Sequence, residues 1–377
     1  MSAEYARRAN VDVTLAGADI SQDIAPFLIS VTYDDNRSGE ADSIAVELED
    51  RDGRFRGDWF PKKNSTLNVV IRVSDWDKHG DNAALQCGIF ELDEIETSQG
   101  RFNMKGISVP VTAGGRREKI TKTWEKIKLK QLAGDIATKA ALTLNYTAIE
   151  DPYYGRIDQK QESSLEFITR IVHKAGLSIK IINNKMAIYN EVDAEKEDAA
   201  LTIERTKTRV LDWNFKTQSV ETYQSCEVSY FDPKTKKTIV GTATATGNAP
   251  SGQVLKINER VENQAAAIAL AEKKLRDANK REVTGSLTLM GDTRILDGVV
   301  IAVKDFGTFD GKYRIAKSTH TVSADGGYTT SCDLESGPPT VRDGGKGEKR
   351  ADKKANKKKR KNEPEWKAIV ERNRTNG

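Results

Sequence analysis

The sequence predicts an α+β protein that is mostly β: small antiparallel barrels or sandwiches around an α+β insertion, closed by a disordered basic tail. Three observations carry this. Apolar and polar residues alternate with a period of two through most of residues 11–111 and again after residue 200. Near residue 115 the period changes to that of helices. Finally, from Arg342 to Asn362, eleven Lys/Arg stand against three Asp/Glu. The divisions that follow are a first strand-rich domain at 1–114, an α+β insertion at 115–198, a second strand-rich domain at 199–336 with a helix at 263–280, and a tail at 337–377.

In the first domain VDVTL (11–15), FLISVTY (27–33), SIAVELED (43–50), TLNVVIRVSDW (66–76), GIFELDEIE (88–96) and RFNMKGISVPV (101–111) read as strands, separated by turn-rich stretches such as DDNRSGEAD. Short antiparallel strands at this spacing build a small barrel or a sandwich. In the insertion, Leu129, Leu132, Ile136 and Ala140 fall on one face of a helix. A polar linker follows. Ser163 and Glu166 then form a capping box, Leu165, Ile168, Ile171, Val172 and Ala175 share a face, and Gly176 stops the helix. LSIKII, an Asn183-Asn184 turn and KMAIY complete an α–β–β unit. Strands resume with LTIE, RVLDWNF, SCEVSYFD and KKTIVGTATATG. One helix, with Ile268, Ala271, Leu275 and Ala278 as its buried stripe, precedes four more strands punctuated by glycines between 282 and 335.

Charge and composition narrow the function classes. The net charge of +4 hides a tail segment at +8 and a body of about −4, which argues against a nucleic-acid-binding body. Three widely spaced cysteines, Cys87, Cys226 and Cys332, have no metal-ligand spacing and read as buried residues of a reducing compartment. The N-terminal stretch lacks the apolar core of a signal peptide, and the longest apolar run, AAAIALA, is too short to span a bilayer. These features predict a soluble protein made in the cytoplasm.

No motif points to catalysis, a cofactor or a metal. Asp50-x-Asp52-Gly53 resembles the start of a calcium loop, but position twelve is Pro61. GTFDGK (307–312) has three residues between its glycines and Tyr313 in place of a Ser or Thr, so it is not a phosphate loop. His173 and Glu166 lie seven residues apart on their helix, about 10 Å, too far for a hydrogen bond. The three histidines form no ligand set and no nucleophile–base pair. In the tail, Pro364 suits the first turn of a helix, and Trp366, Ile369 and Val370 then line one face near 364–373, the form of a docking motif on a flexible tether. An inert tail or a polyanion contact are the alternatives.

Several ordered segments carry a family resemblance. Residues 291–335 present Gly291 and Asp292, then Gly298 before an apolar strand, Phe306 with Gly307, Asp310 with Gly311, Tyr313, His320, and Gly327 with Tyr328. Trp124 precedes the first insertion helix, and ESSLEFITRIVHKAGL forms the second. Together with the early DNR-x-G-x-AD-S-I segment, these are similar to the phage late control D family, the baseplate hub proteins of contractile tails and related injection machines. The resemblance covers roughly residues 5–340. Where the family often carries Tyr or Phe after the helix-ending glycine, this chain has Ile179 and Ile181.

The resemblance implies two similar small β-barrels, the first facing the tail tube, and a homotrimer that presents six barrels around a pore. Such a hub joins a sixfold tail tube to a threefold central spike. The implied partners are the tube protein, the spike protein, other baseplate proteins and a tape-measure protein, with no membrane and with DNA at most passing through the pore. The implied location is a virion or tail-like particle assembled in the host bacterial cytoplasm. A separate spike recruited through the helix around Trp366 is a further expectation. The alternatives are a tail-associated cell-wall hydrolase or a glycan- or nucleic-acid-binding β-protein.

Overall fold

The structure, a computed structural model, describes residues 6–62, 64–108, 118–182, 184–191, 198–218, 222–233, 236–245, 252–280 and 282–336. The tail at 337–377, with Trp366, Ile369 and Val370, lies outside the described residues, as do the expected boundary near residue 115 and Asn183 of the hairpin turn.

Most strands of both strand-rich regions belong to one 13-stranded sheet. From one end it runs β14 (Val210–Thr217), β18 (Val283–Met290), β21 (Gly327–Ser336), β20 (Gly311–Ser323), β3 (Leu28–Asp35), β4 (Ser43–Asp50), β7 (Gly100–Ile107), β6 (Ala83–Ser98), β5 (Thr66–Ser74), β1 (Arg8–Leu15) and β2 (Ala18–Asp19). β13 (Leu201–Glu204) and β19 (Val300–Lys304) join at the side of β20. The alternation read from sequence is the burial pattern: in β4, Ile44, Val46, Leu48 and Asp50 point inward and their neighbours do not.

β20 is the splice. β21 occupies one of its edges from Tyr313 to Ser323. The other edge is divided, with Gly311–Arg314 pairing β19 and Ser318–Ser323 pairing β3. A strand of thirteen residues is long enough to serve two neighbours end to end. The sheet is therefore open, with β14 and β2 at its ends, and closed rings of the kind the resemblance implied are not formed among the described residues. Two cores lie on this sheet. One gathers Val31, Tyr33, Leu48, Ile71 and Phe102 and takes Val322 and Tyr328 from the C-terminal hairpin. The other gathers Ile203, Leu287, Ile301, Tyr313, Ile315 and Leu334.

The insertion has its own core, shared by helices α1 (Leu129–Lys139) and α2 (Ser164–Lys174) and by a sheet in the order β11 (Ser178–Ile182), β12 (Lys185–Tyr189), β9 (Thr143–Tyr146). The capping box is present: the Glu166 N–H donates to Ser163 Oγ at 3.2 Å and the Ser163 N–H to Glu166 Oε2 at 2.8 Å. Such a cap stabilises a helix by about 1 kcal/mol. Gly176 takes φ +81° just past the helix end, where a side chain would be strained. The expected polar linker is a correction. It holds β9 and β10 (Tyr153–Glu162), the latter paired with β8 (Ile120–Lys128) in a two-stranded ribbon. Most residues of this ribbon are at least partly exposed, so no alternation marked it.

A fourth core lies inside the region read as one second domain. β15 (Ser225–Asp232), β16 (Lys237–Thr244) and β17 (Val254–Asn258) form a separate sheet against helix α3 (Gln264–Asn279). The buried stripe of α3 is Ala267, Leu270, Ala271 and Leu275, while Ile268 is 37% exposed and Ala278 only partly buried. The cause is a close approach. A Cβ on Gly241 would lie 2.4 Å from the backbone of Ala267, so the helix seats Ala267 on that glycine and turns Ile268 outward.

Candidate functional site

The residues first considered for chemistry are occupied by structural work. Glu166 caps its helix. His79 sits in an exposed loop, bonded to Asp75 at 2.9 Å, and His173 is partly buried at the end of α2. Asp50 accepts the Phe55 N–H at 3.0 Å and pairs with Arg56, holding a turn. GTFDGK is likewise a turn, closed by the Phe306 N–H on Asp310 Oδ1 at 2.7 Å. No cluster of three or more His, Cys, Asp or Glu that could hold a metal occurs among the described residues. A groove of about 860 Å³ between the β8–β10 ribbon, α2 and α3 is lined by neither histidine, cysteine nor serine. All three cysteines are free and buried. No helix among the described residues is long and apolar enough to cross a membrane.

The signature residues from 291 to 328 divide between the two cores of the large sheet. Gly291, Asp292, His320, Gly327 and Tyr328 meet where β20 joins β3. His320 is fully buried. Its Nε2–H donates to the Ile295 carbonyl at 2.8 Å, which fixes the tautomer and leaves Nδ1 to accept the Tyr328 hydroxyl at 2.8 Å. Thr330 Oγ1 lies 3.1 Å from Nδ1 and accepts the Asp292 N–H at 3.0 Å. The imidazole stacks on Tyr33 of β3, ring centres 5.9 Å apart. Burial pulls the imidazole pKa down to about 4, the bond to Ile295 opposing. A histidine held neutral this way is a packing element with two satisfied nitrogens.

Gly291 and Trp76 tie this seam to the loop after β5. The Trp76 indole N–H donates to the Gly291 carbonyl at 2.5 Å, and its ring packs on Tyr328 at 5.5 Å. A Cβ on Gly291 would lie 1.9 Å from the Tyr328 ring, so only glycine fits. Gly327 takes φ +68° at the β20–β21 turn. The remaining four serve the other core. Gly298 (φ +83°) donates its N–H to the Ile315 carbonyl at 2.8 Å, and Gly307 (φ +71°) turns the chain. Gly311 opens β20, and Tyr313 donates its hydroxyl to the Phe309 carbonyl at 2.8 Å beside the ring of Phe215.

A second buried centre was not read from the sequence. Lys180 of β11 reaches Asp35 at 2.6 Å, Asp42 at 3.1 Å and Asp297 at 3.4 Å, and bonds the Asn36 carbonyl. Asp35 also accepts the Asp297 N–H at 2.6 Å. Asp297 faces Arg314 at 3.5 Å, Arg314 faces Glu191 at 3.8 Å, and Glu191 pairs with Lys280 just past α3. All seven side chains are about nine-tenths buried or more. This chain of charges joins the first strand-rich region, the insertion, the C-terminal strands and α3. Burial pushes the Asp42 carboxyl up to about 8, Lys180 opposing and Asp35 adding to the rise. Burial raises Asp297 to about 6 against the pull of Lys180 and Arg314. Glu191 moves the other way: burial opposes its charge, but Arg314, Lys280 and Lys273 hold it well below the usual range. One signal could have found the centre: Asp35 continues the inward phase of Val31 and Tyr33.

The large sheet ends in an open edge. Among the described residues β14 pairs only with β18, and Leu211 and Trp213 on it are 58% and 43% exposed. An edge strand with large apolar side chains is a pairing surface unless another chain covers it.

A solved tail protein from Neisseria meningitidis MC58 shares this fold, with a TM-score of 0.65 and 15% identity over 87% of this chain and 97% of that one. The chain thus has the fold of that tail protein, with no recognisable catalytic constellation among the described residues. No family model matches the sequence. Two sequence relatives are each named probable baseplate hub protein. That of Escherichia phage 186 is 27% identical over 202 residues, 52% of this chain and 49% of its own length. That of Escherichia phage P2 is 30% identical over 181 residues, 46% and 43% of the two chains. The chain thus spans about half the length of the curated relatives it matches. Over about half its length the chain is similar to baseplate hub proteins, in line with the motifs similar to the late control D proteins.

Proposed function

We propose that the chain is the structural, non-catalytic hub of a contractile-tail baseplate, trimerising to join a sixfold tail tube to a threefold central spike. The observation that carries this is the pairing of hub-named relatives with a tail-protein fold that spans 87% of the chain. In this reading residues 1–114 face the tube, 115–198 form the insertion, and 199–336 complete the ring. The tail at 337–377 recruits a separate partner, spike or tape-measure protein, through Trp366, Ile369 and Val370. The particle is a virion or tail-like device assembled in the host bacterial cytoplasm. The open β14 edge supports self-association: its unpaired backbone and exposed Leu211 and Trp213 suit a neighbouring copy.

Light scattering and negative-stain electron microscopy, with and without the cognate spike and tube proteins, test the hub. The expected particle has threefold symmetry and three times the chain mass. A monomer that neither protein recruits would sink the proposal. Leu211→Glu is expected to leave stability within about 0.5 kcal/mol, as exposed substitutions do, and to abolish the trimer. Truncation after residue 345 should leave the folded body intact and impair particle assembly.

A further inference from the structure

A cavity of about 270 Å³ opens beside the charged junction, where helix α3 meets the end of the insertion and the strands β20 and β21. Its walls are unbalanced in charge. Arg37, Lys273, Lys274, Lys280 and Arg314 face Glu191, Asp277 and Glu335 as the carboxylates of the lining, with His173 and the hydroxyls of Ser38 and Ser178 beside them. Two of the cations are buried without close hydrogen-bonded partners for all their donors. Arg314 is 6% exposed, and its Nη2 is buried with no hydrogen-bond partner; the carboxylates nearest it, of Asp297 and Glu191, stand at 3.5 and 3.8 Å. Lys273 is 7% exposed, makes no hydrogen bond among the described residues, and has Asp277 at 3.6 Å as its ion-pair partner. Lys274, one residue on, makes no ion pair among them.

Buried cations are stable when paired and hydrogen-bonded, and a guanidinium N–H without an acceptor costs its full desolvation. The structure already spends Glu191 on Lys280 and on Ser178, whose hydroxyl donates to it at 2.5 Å. Arg37 has only long contacts, at 3.8 Å to Glu40 and to Glu335. Burial pulls the Lys273 pKa down, Asp277 and Glu191 offsetting it only in part, as expected of a cation short of negative charge. An anion with several acceptor oxygens would satisfy Arg314 Nη2 and the Lys273 ammonium at once. The cavity has room for one.

We propose that this cavity binds a tetrahedral oxyanion of the phosphate class, held by Arg314 and Lys273 with Lys280 and Lys274 at its margin, and that the bound ion fastens α3 to the large sheet. The site is independent of the hub reading. A phosphate here bridges β20 and α3, whose cores are otherwise separate, and stabilises the fold by mass action.

Inorganic phosphate titrated into the full chain by calorimetry, with thermal melting followed in parallel, tests it. The expected result is saturable binding and a rise in melting temperature that sodium chloride at matched ionic strength does not reproduce. Lys273→Met should weaken binding about tenfold or more, the loss of one charge-assisted hydrogen bond. Should that variant misfold, the surface double variant Arg37→Gln/Lys274→Gln should weaken it severalfold through lost charge alone. A nucleoside monophosphate in place of phosphate distinguishes sources. Competition assigns the site to a phosphoryl group on a larger molecule, and binding of phosphate alone assigns it to the free ion; both uphold an oxyanion site. Absence of saturable heat, an equal response to chloride, or unchanged affinity in every folded variant would overturn it.

Discussion

At the seam between β20 and β3, His320, Tyr328 and Thr330 bury neutral groups whose hydrogen bonds close on one another and on the Ile295 carbonyl. A few residues away, Asp35, Asp42 and Asp297 crowd the ammonium of Lys180, and Asp42 Oδ2 and Asp297 Oδ1 are left without hydrogen bonds. Both centres join parts of the chain far apart in sequence, but they do so with different chemistry. The seam adds to a strand pairing that the backbone already fixes, in a register from Ser318↔Asp35 to Ser323↔Ser30. The junction holds elements of separate sheets, its charges lying beside neutral hydrogen bonds such as that from the Gly39 N–H to the Ile179 carbonyl. A neutral network specifies geometry at little electrostatic risk. A buried ionic one is strong only while every partner is present.

The largest expected effect comes from emptying the seam. Tyr328→Ala should cost about 4 kcal/mol in denaturant unfolding, because it opens a cavity and leaves Nδ1 of His320 only the Thr330 hydroxyl. Tyr328→Phe should cost only about 1 kcal/mol; equal losses would mean that the hydroxyl network, not packing, dominates. Next comes Lys180→Met, at about 3 kcal/mol near neutral pH, since the acidic groups of Asp35, Asp42 and Asp297 lose their common cation. That loss should shrink as the pH falls and the carboxyls neutralise. A loss independent of pH would show the junction to be packing with incidental charge.

The smallest effect is the pH dependence itself, where the two centres have opposite signs. The folded seam keeps His320 neutral down to about 4, whereas the unfolded imidazole titrates near 6.5, so its contribution is full above 6.5 and lost as the pH falls from 6.5 to 4. Asp42 is raised from 3.8 to about 8, so the folded junction keeps a proton that the unfolded chain has released. Its contribution is full below 3.8 and lost as the pH rises through 8. Between pH 4 and 6 the slopes of Asp42 and Asp297 together exceed the opposing slope of His320, and from 6 to 6.5 those of Asp42 and His320 offset each other. From 6.5 to 8 the junction alone remains, and melting temperature should fall by the equivalent of at most about 1.4 kcal/mol per pH unit. Asp42→Asn should flatten that limb; a limb unchanged in the variant would assign the slope to another group.

Local chemistry was legible where its partners are close in sequence. The Ser163–Glu166 box, the Gly176 stop, the inward phase of β4 and the glycine turns at 298, 307 and 327 all depend on neighbours within a few residues. The ribbon of β8 and β10 was not legible, because a strand pair wet on most of its surface leaves no alternation to read. Nor was the face of α3. Ile268 is the more apolar residue, yet the depth of the approach at Gly241 decided for Ala267. His320 was marked by motif, but whether it is a catalytic or a packing histidine depended on Ile295, Tyr328 and Tyr33, brought together by pairing across almost the whole chain.

The sequence by itself determined a mostly β chain with a capped-helix insertion, turn positions that require glycine, and a family motif, because those follow from backbone conformation and periodicity. Tertiary structure alone decided that β20 serves two neighbours, that the strand-rich regions share an open sheet, and that Lys180 gathers three aspartates. Each of these rests on at least one pairing over more than a hundred residues, and such pairings leave no periodic trace, since no neighbour in sequence reports which distant strand will lie alongside.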